Sequence, residues 1–194
     1  ESTGAGEFKL AEENFLKTYA YYTANELNAS FSCVAVSGAG VYQNTVGDRN
    51  VAIPNFYDQA LKSMSSSNWD FSDKPDVVVI NLGTNDFANG AINPQSFIDA
   101  YEMFINRIRS NYPNVYIVCT IGPIDPPASI AARYIEDIVE QRKANGDSRI
   151  AFCQMTLDNN ASGFWGSGGH PTEAGHREMY HTLCDCIKQL TGWN

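Results

Sequence analysis

The sequence predicts an α/β domain built on a mostly parallel sheet. Four short apolar runs rich in β-branched residues predict the strands: residues 31–36 (FSCVAV), 77–82 (VVVINL), 115–121 (VYIVCTI) and 149–155 (RIAFCQM). Each run is continuous rather than alternating, which is the pattern of strands buried on both faces. Helix-length segments separate most of them, and that alternation suits parallel strands joined by crossover helices.

The elements follow in order. Residues 18–27 carry Tyr19, Ala20, Tyr22 and Leu27 at helical spacing and predict a first helix before the run 31–36. Residues 39–74 are irregular and end in a polar stretch before the run 77–82. Asn93-Pro94 then opens a helix, because proline's fixed φ suits the first helical position. Phe97, Tyr101, Phe104 and Ile108 form its apolar stripe. After the run 115–121, Ser129 is expected to open a helix through Ile130, Tyr134, Ile138 and Ala144, stopped by Gly146. After 149–155, Thr172 caps a last helix whose inner face is His176, Met179, Tyr180, Leu183, Ile187 and Leu190. No internal repeat or linker interrupts the chain, and 194 residues suit one domain spanning 1–194.

Composition narrows the partners. A net charge of −9 argues against nucleic acid or an anionic membrane surface and leaves a neutral substrate such as a sugar unopposed. Hydrophobic residues make up 43% and charged residues 18%, the balance of a globular chain. No stretch has the length and apolarity of a membrane span or of a signal peptide. The five cysteines are odd in number, match no zinc-ligand spacing and predict neither a disulfide framework nor a metal site. Cys33, Cys119 and Cys153 fall in the strand-like runs, where a thiol serves as a small hydrophobe. Nothing in the chain calls for a cofactor.

In open α/β sheets, sites form beyond the carboxyl ends of the strands. The segments to inspect are therefore SGAG (37–40), GTND (83–86), GPIDPP (122–127) and the loop 156–171. Asn85 follows a strand-ending glycine and is either an oxyanion donor or a turn residue. Gly38 offers a backbone N–H or simply turns the chain. His170 lies in GSGGHPTEAGH, as a positioned base or as a surface histidine. Trp165 on the same loop is either core or an apolar wall on which a sugar stacks. His176 is expected to be a satisfied core histidine.

Taken together, INLGTND, SGAG and HPTEAGH resemble the SGNH (GDSL-type) hydrolases, in which four sequence blocks supply a serine, a glycine, an asparagine and a histidine. PDVVVINLGTND with HPT..GH, and KTYAYYTANELNA before the first strand, are most similar to carbohydrate esterase family 2, whose members deacetylate plant cell-wall polysaccharides. The resemblance implies a three-layer α/β/α, flavodoxin-like fold. It implies Gly38 and Asn85 as oxyanion donors and His170 as general base in acyl transfer from an acetylated polysaccharide or oligosaccharide. The expected location is secreted or cell-associated in a bacterium.

Two departures from the family pattern stand out. No GDS block is present, so the nucleophile is unassigned. Ser2 lacks a preceding strand, and Ser37 adjoins the oxyanion glycine without occupying the family's position. The nucleophile is expected on a segment outside these residues. No acid precedes His170 either: Ser167 and Gly168 occupy those positions. A backbone carbonyl of residues 165–168 is expected to orient the imidazole, with Asp158 the alternative. In the flavodoxin-like order 2-1-3-4-5 the first strand is central, and its absence leaves a slot between 31–36 and 77–82. An upstream fragment, a strand from a second copy, or closure of the two edges is expected to fill it. The alternative to an esterase is a glycan-binding remnant that has lost its serine. No long apolar lid points to a lipase.

Overall fold

The computed structural model describes residues 14–60, 68–90 and 92–194, and Ser2 lies outside them. The elements are α1 (Tyr19–Glu26), β1 (Val77–Asn81), α2 (Pro94–Asn111), β2 (Tyr116–Ile121), α3 (Pro127–Ala144), β3 (Ile150–Gln154) and α4 (Glu173–Thr191), with short 3-10 turns between them. The three strands form a parallel sheet in the order β1-β2-β3, with Val77 opposite Tyr116 and Ile117 opposite Ile150. Helices cover both faces, giving the three α/β/α layers.

The middle strand explains the layering. Its side chains alternate faces. Ile117, Cys119 and Ile121 join a core with Phe97, Tyr101 and Ile105 of α2 and with Ala131, Ile135 and Ile138 of α3. Val118 points the other way, into a smaller core with Met179, Leu183 and Ile187 of α4. A strand apolar on both faces reads as a continuous apolar run, as β2 does.

Local chemistry sets the helix ends. Asn93 Oδ1 accepts the N–H groups of Gln95 and Ser96, and Pro94 occupies the first turn of α2. Thr172 caps α4 by accepting the Gly175 N–H, and Gly192 ends it in the left-handed region at φ 78°. α3 starts at Pro127, two residues before the expected Ser129. Ser129 instead sits in the first turn, where its N–H and hydroxyl both donate to Asp125 Oδ1.

Residues 31–36 are not a strand, contrary to expectation. Phe31 and Val34 are 37% and 52% exposed. β-branched composition supplies propensity, but a strand exists only through its partner. Among the described residues nothing pairs with 31–36, and nothing pairs with the outer edge of β1, where Val79 is 38% exposed. The two edges therefore do not close on each other. Cys33 is exposed for the same reason, whereas Cys119 is buried as expected.

α1 and α4 are tied together by His176. Its ring stacks on Tyr19 at 5.7 Å, and its Nδ1 accepts the Tyr19 backbone N–H at 3.2 Å. An accepting Nδ1 requires the neutral ring. Burial depresses the His176 pKa to about 4, against an ordinary 6.5. The unfolded chain therefore takes up a proton here between those two values. This contribution is complete above pH 6.5 and is lost as pH falls towards 4, on the order of 3 kcal/mol in all. Urea unfolding of the wild type from pH 7 to 4 should show this loss, and His176→Gln should flatten it.

Candidate active site

The loop 37–43 and the turn after β1 are locked together by one buried carboxylate. Asp86 is 0% exposed. Its Oδ2 accepts the Val41 N–H at 3.0 Å, and its Oδ1 accepts those of Tyr42 and Gln43 at 2.7 and 3.1 Å. Gln43 Nε2 donates back to the Asp86 carbonyl at 3.0 Å. Burial pushes this carboxyl above the ordinary aspartate range, and the three backbone N–H groups pull it back. In the sequence Asp86 stands out only as the last residue of GTND (83–86).

Two glycines make the approach possible. A Cβ on Gly40 would stand 2.1 Å from Asp86 Oδ2, and one on Gly83 2.8 Å from the Ala131 Cβ. Gly83 also has φ +129°, open to glycine and strained for other residues. Gly40→Ala is expected to lower stability by about 2 kcal/mol or more, because it must push the loop off Asp86. Thermal unfolding of the purified variant checks this.

The clamp brings two of the predicted site residues together. Asn85 Nδ2 donates to the Ala39 carbonyl at 2.9 Å, one residue beyond Gly38. Gly38 has φ +72°, and its carbonyl accepts the Thr45 N–H. Among the described residues the Gly38 N–H donates to nothing, and one hydrogen of the Asn85 amide is likewise uncommitted. Two free donors from neighbouring loops at the carboxyl end of a parallel sheet are what an oxyanion needs.

His170 stands on the loop after β3, at the same end of the sheet. Its backbone is fixed by a tight hairpin: Trp165 pairs with Pro171, the Gly166 N–H donates to the His170 carbonyl, and the His170 N–H donates to Ser167 O. Gly168 and Gly169 take φ +61° and +73°, which is why glycines occupy the turn. Beyond the hairpin, Glu173 at the start of α4 binds Lys17, Arg177 and the Tyr22 hydroxyl, and these partners hold its carboxyl down to about 2. The imidazole itself is exposed. Among the described residues neither ring nitrogen forms a hydrogen bond, so the carbonyl contact expected from residues 165–168 is not made. Asp158 does not orient it either: its Oδ1 accepts the Asn160 N–H within its own turn.

Trp165 is half-buried, and its Nε1 donates to the Asp158 carbonyl at 3.4 Å. Beside the Asn85–Phe87 turn runs an apolar cleft of about 310 Å³, walled by Phe87, Ile92, Pro94, Pro126, Ile130 and Tyr134. Trp165 is not one of its walls.

A parallel α/β/α sandwich that brings a loop glycine beside the asparagine following its first strand, and carries a histidine on the loop after its last strand, has the architecture of the SGNH hydrolases. The profile of the GDSL-like lipase/acylhydrolase family matches residues 2–178, and the chain belongs to that family. It is similar to the cellulase/esterase CelE of Acetivibrio thermocellus, 35% identical over 189 residues, which are 96% of this chain and 23% of that protein. It is also similar to the acetylxylan esterase/glucomannan deacetylase of Cellvibrio japonicus, 28% identical over 186 residues, 93% of this chain and 50% of that one. A solved family two carbohydrate esterase from Clostridium thermocellum in complex with cellohexaose superposes with a TM-score of 0.92 at 34% identity, covering 100% of this chain and 61% of that one. The chain thus spans half or less of the length of these two curated relatives.

Proposed function

We propose that the protein is a serine esterase that removes O-acetyl groups from hemicellulose such as acetylxylan. The observation that carries this reading is the pair of donors uncommitted among the described residues, the Gly38 N–H and the Asn85 amide, on two loops joined by the Asn85–Ala39 hydrogen bond. In this reading a serine attacks the acetyl carbonyl, the two donors hold the oxyanion, and His170 takes the serine's proton and passes it to the departing sugar hydroxyl. The names of the relatives, an acetylxylan esterase and a cellohexaose-bound carbohydrate esterase, support the choice of substrate. In this reading the protein is secreted or cell-associated, since a polymeric substrate does not enter a cell.

The serine belongs, in this reading, on a strand laid along the outer edge of β1, between β1 and residues 31–36. Among the described residues that edge has no paired strand, and half-exposed apolar side chains lie beside it, the features that recruit a strand. A strand parallel to β1 would deliver its carboxyl end next to Gly38 and Asn85.

The test is hydrolysis of p-nitrophenyl acetate and acetylxylan by residues 1–194 alone and by the full-length protein. The reading expects acetate release by the full-length protein and little or none by residues 1–194. Binding of xylan without acetate release by either form would sink it in favour of a glycan-binding protein.

A further inference from the structure

We infer that Asp86 is a positioning residue for acyl transfer: its carboxylate gathers the N–H groups of Val41, Tyr42 and Gln43 and so sets the Gly38 N–H against the Asn85 amide. The inference rests on the esterase reading for what the two donors do. It rests on geometry alone for how they are held.

Three consecutive backbone N–H groups converge on one side chain at 2.7 to 3.1 Å. Successive N–H groups curled in this way form a concavity that binds an anion. Here the anion comes from the residue next to Asn85 in sequence, so one residue pair supplies both the donor and the anchor of its partner loop. The Gln43 side chain closes the ring from the other side through the Asp86 carbonyl. The loop can approach this closely because residue 40 lacks a Cβ. Downstream, its course is fixed by the Ile53 N–H donating to the Gly40 carbonyl and the Thr45 N–H donating to the Gly38 carbonyl. The Gly38 N–H is the donor this network leaves unused.

Acceptance of all three bonds needs a group with no donor of its own. A carboxylate has four lone-pair sites and no hydrogen, whereas an amide of the same shape presents an NH2 to at least one of the three N–H groups. Asp86→Asn therefore keeps the volume of the core and forces two donors to face each other. The loop must then move, and Gly38 moves with it. A merely structural aspartate would lose stability on this change and leave the chemistry of the folded protein untouched.

Asp86→Asn and Gln43→Ala are to be compared with the wild type in the full-length protein, by kcat and KM on p-nitrophenyl acetate, by thermal unfolding, and by amide exchange and chemical shifts at residues 38–43 and the Asn85 side chain. Oxyanion donors act in the transition state, so the loss should fall on kcat. We expect Asp86→Asn to lower kcat roughly 10- to 100-fold, less than outright removal of a donor, with KM within about twofold. We expect faster exchange at Val41–Gln43 and shifted Gly38 and Asn85 signals. Gln43→Ala, which removes the half-buried side chain but keeps the backbone N–H bonded to Asp86, should change kcat and the same signals in the same direction by a smaller factor. Wild-type kcat in both folded variants, with unmoved Gly38 and Asn85 signals, would overturn the inference even if the melting temperature falls. A wild type with no esterase activity would overturn the function itself, and the inference with it.

Discussion

Replacing His170 by alanine should abolish turnover, lowering kcat on acetylated substrate by roughly 10⁵-fold or more while KM changes little. The size follows from the group's position. A serine hydroxyl is a weak nucleophile until a base removes its proton, and the departing sugar hydroxyl is a poor leaving group until an acid protonates it. In the proposed mechanism one imidazole performs both transfers, so its loss removes both. The substitution should be harmless to the fold. The ring is exposed, makes no hydrogen bond among the described residues, and follows a hairpin held by backbone bonds. Unchanged thermal unfolding with lost activity would separate chemistry from stability. Retention of more than a few per cent of kcat would remove His170 from the mechanism. The exposed ring also sets a specific need for the proposed mechanism. A histidine that transfers protons efficiently is usually oriented through its second nitrogen, and in the proposed reading that partner comes with the serine-bearing strand or the bound substrate.

What could be read in the sequence divides along the range of the forces involved. The start of α2 was legible because Asn93, Pro94 and the stripe from Phe97 to Ile108 act within a few residues of one another. β2 was legible because both of its faces are apolar and its run is long enough to stand out. Residues 31–36 misled because their composition matches a strand while the ladder they need is not among the described residues. Gly38, Asn85 and His170 were candidates by their places after predicted strands and by family resemblance. Asp86 could not, since its three partners lie 43 to 45 residues away and are backbone N–H groups, which leave no trace in side-chain identity. The expected carbonyl contact to His170 failed for a related reason. A glycine-rich loop announces that it will turn, but not which way its carbonyls will face.

Replacing Asn85 by alanine is expected to lower kcat about 100- to 1,000-fold, or about 2.7–4 kcal/mol of transition-state stabilisation, the range found when one oxyanion donor is removed. KM should stay within a few-fold, because the oxyanion does not exist in the ground state. The loss should be smaller than for His170→Ala, since Gly38 still donates. A second cost comes with it. Asn85 Nδ2 also satisfies the carbonyl of Ala39, itself buried, and an unpaired buried carbonyl costs about 1–3 kcal/mol of stability. Asn85→Asp separates the two effects. It keeps the side chain's shape, removes both donors, and places a carboxylate oxygen against the Ala39 carbonyl and beside the position of the developing negative charge. Its kcat should therefore fall below that of Asn85→Ala. If Asn85→Asp is instead the more active of the two, the amide is not an oxyanion donor, and its bond to Ala39 is its whole contribution. Steady-state kinetics on p-nitrophenyl acetate with the full-length variants, each checked for folding by thermal unfolding, decides between these outcomes.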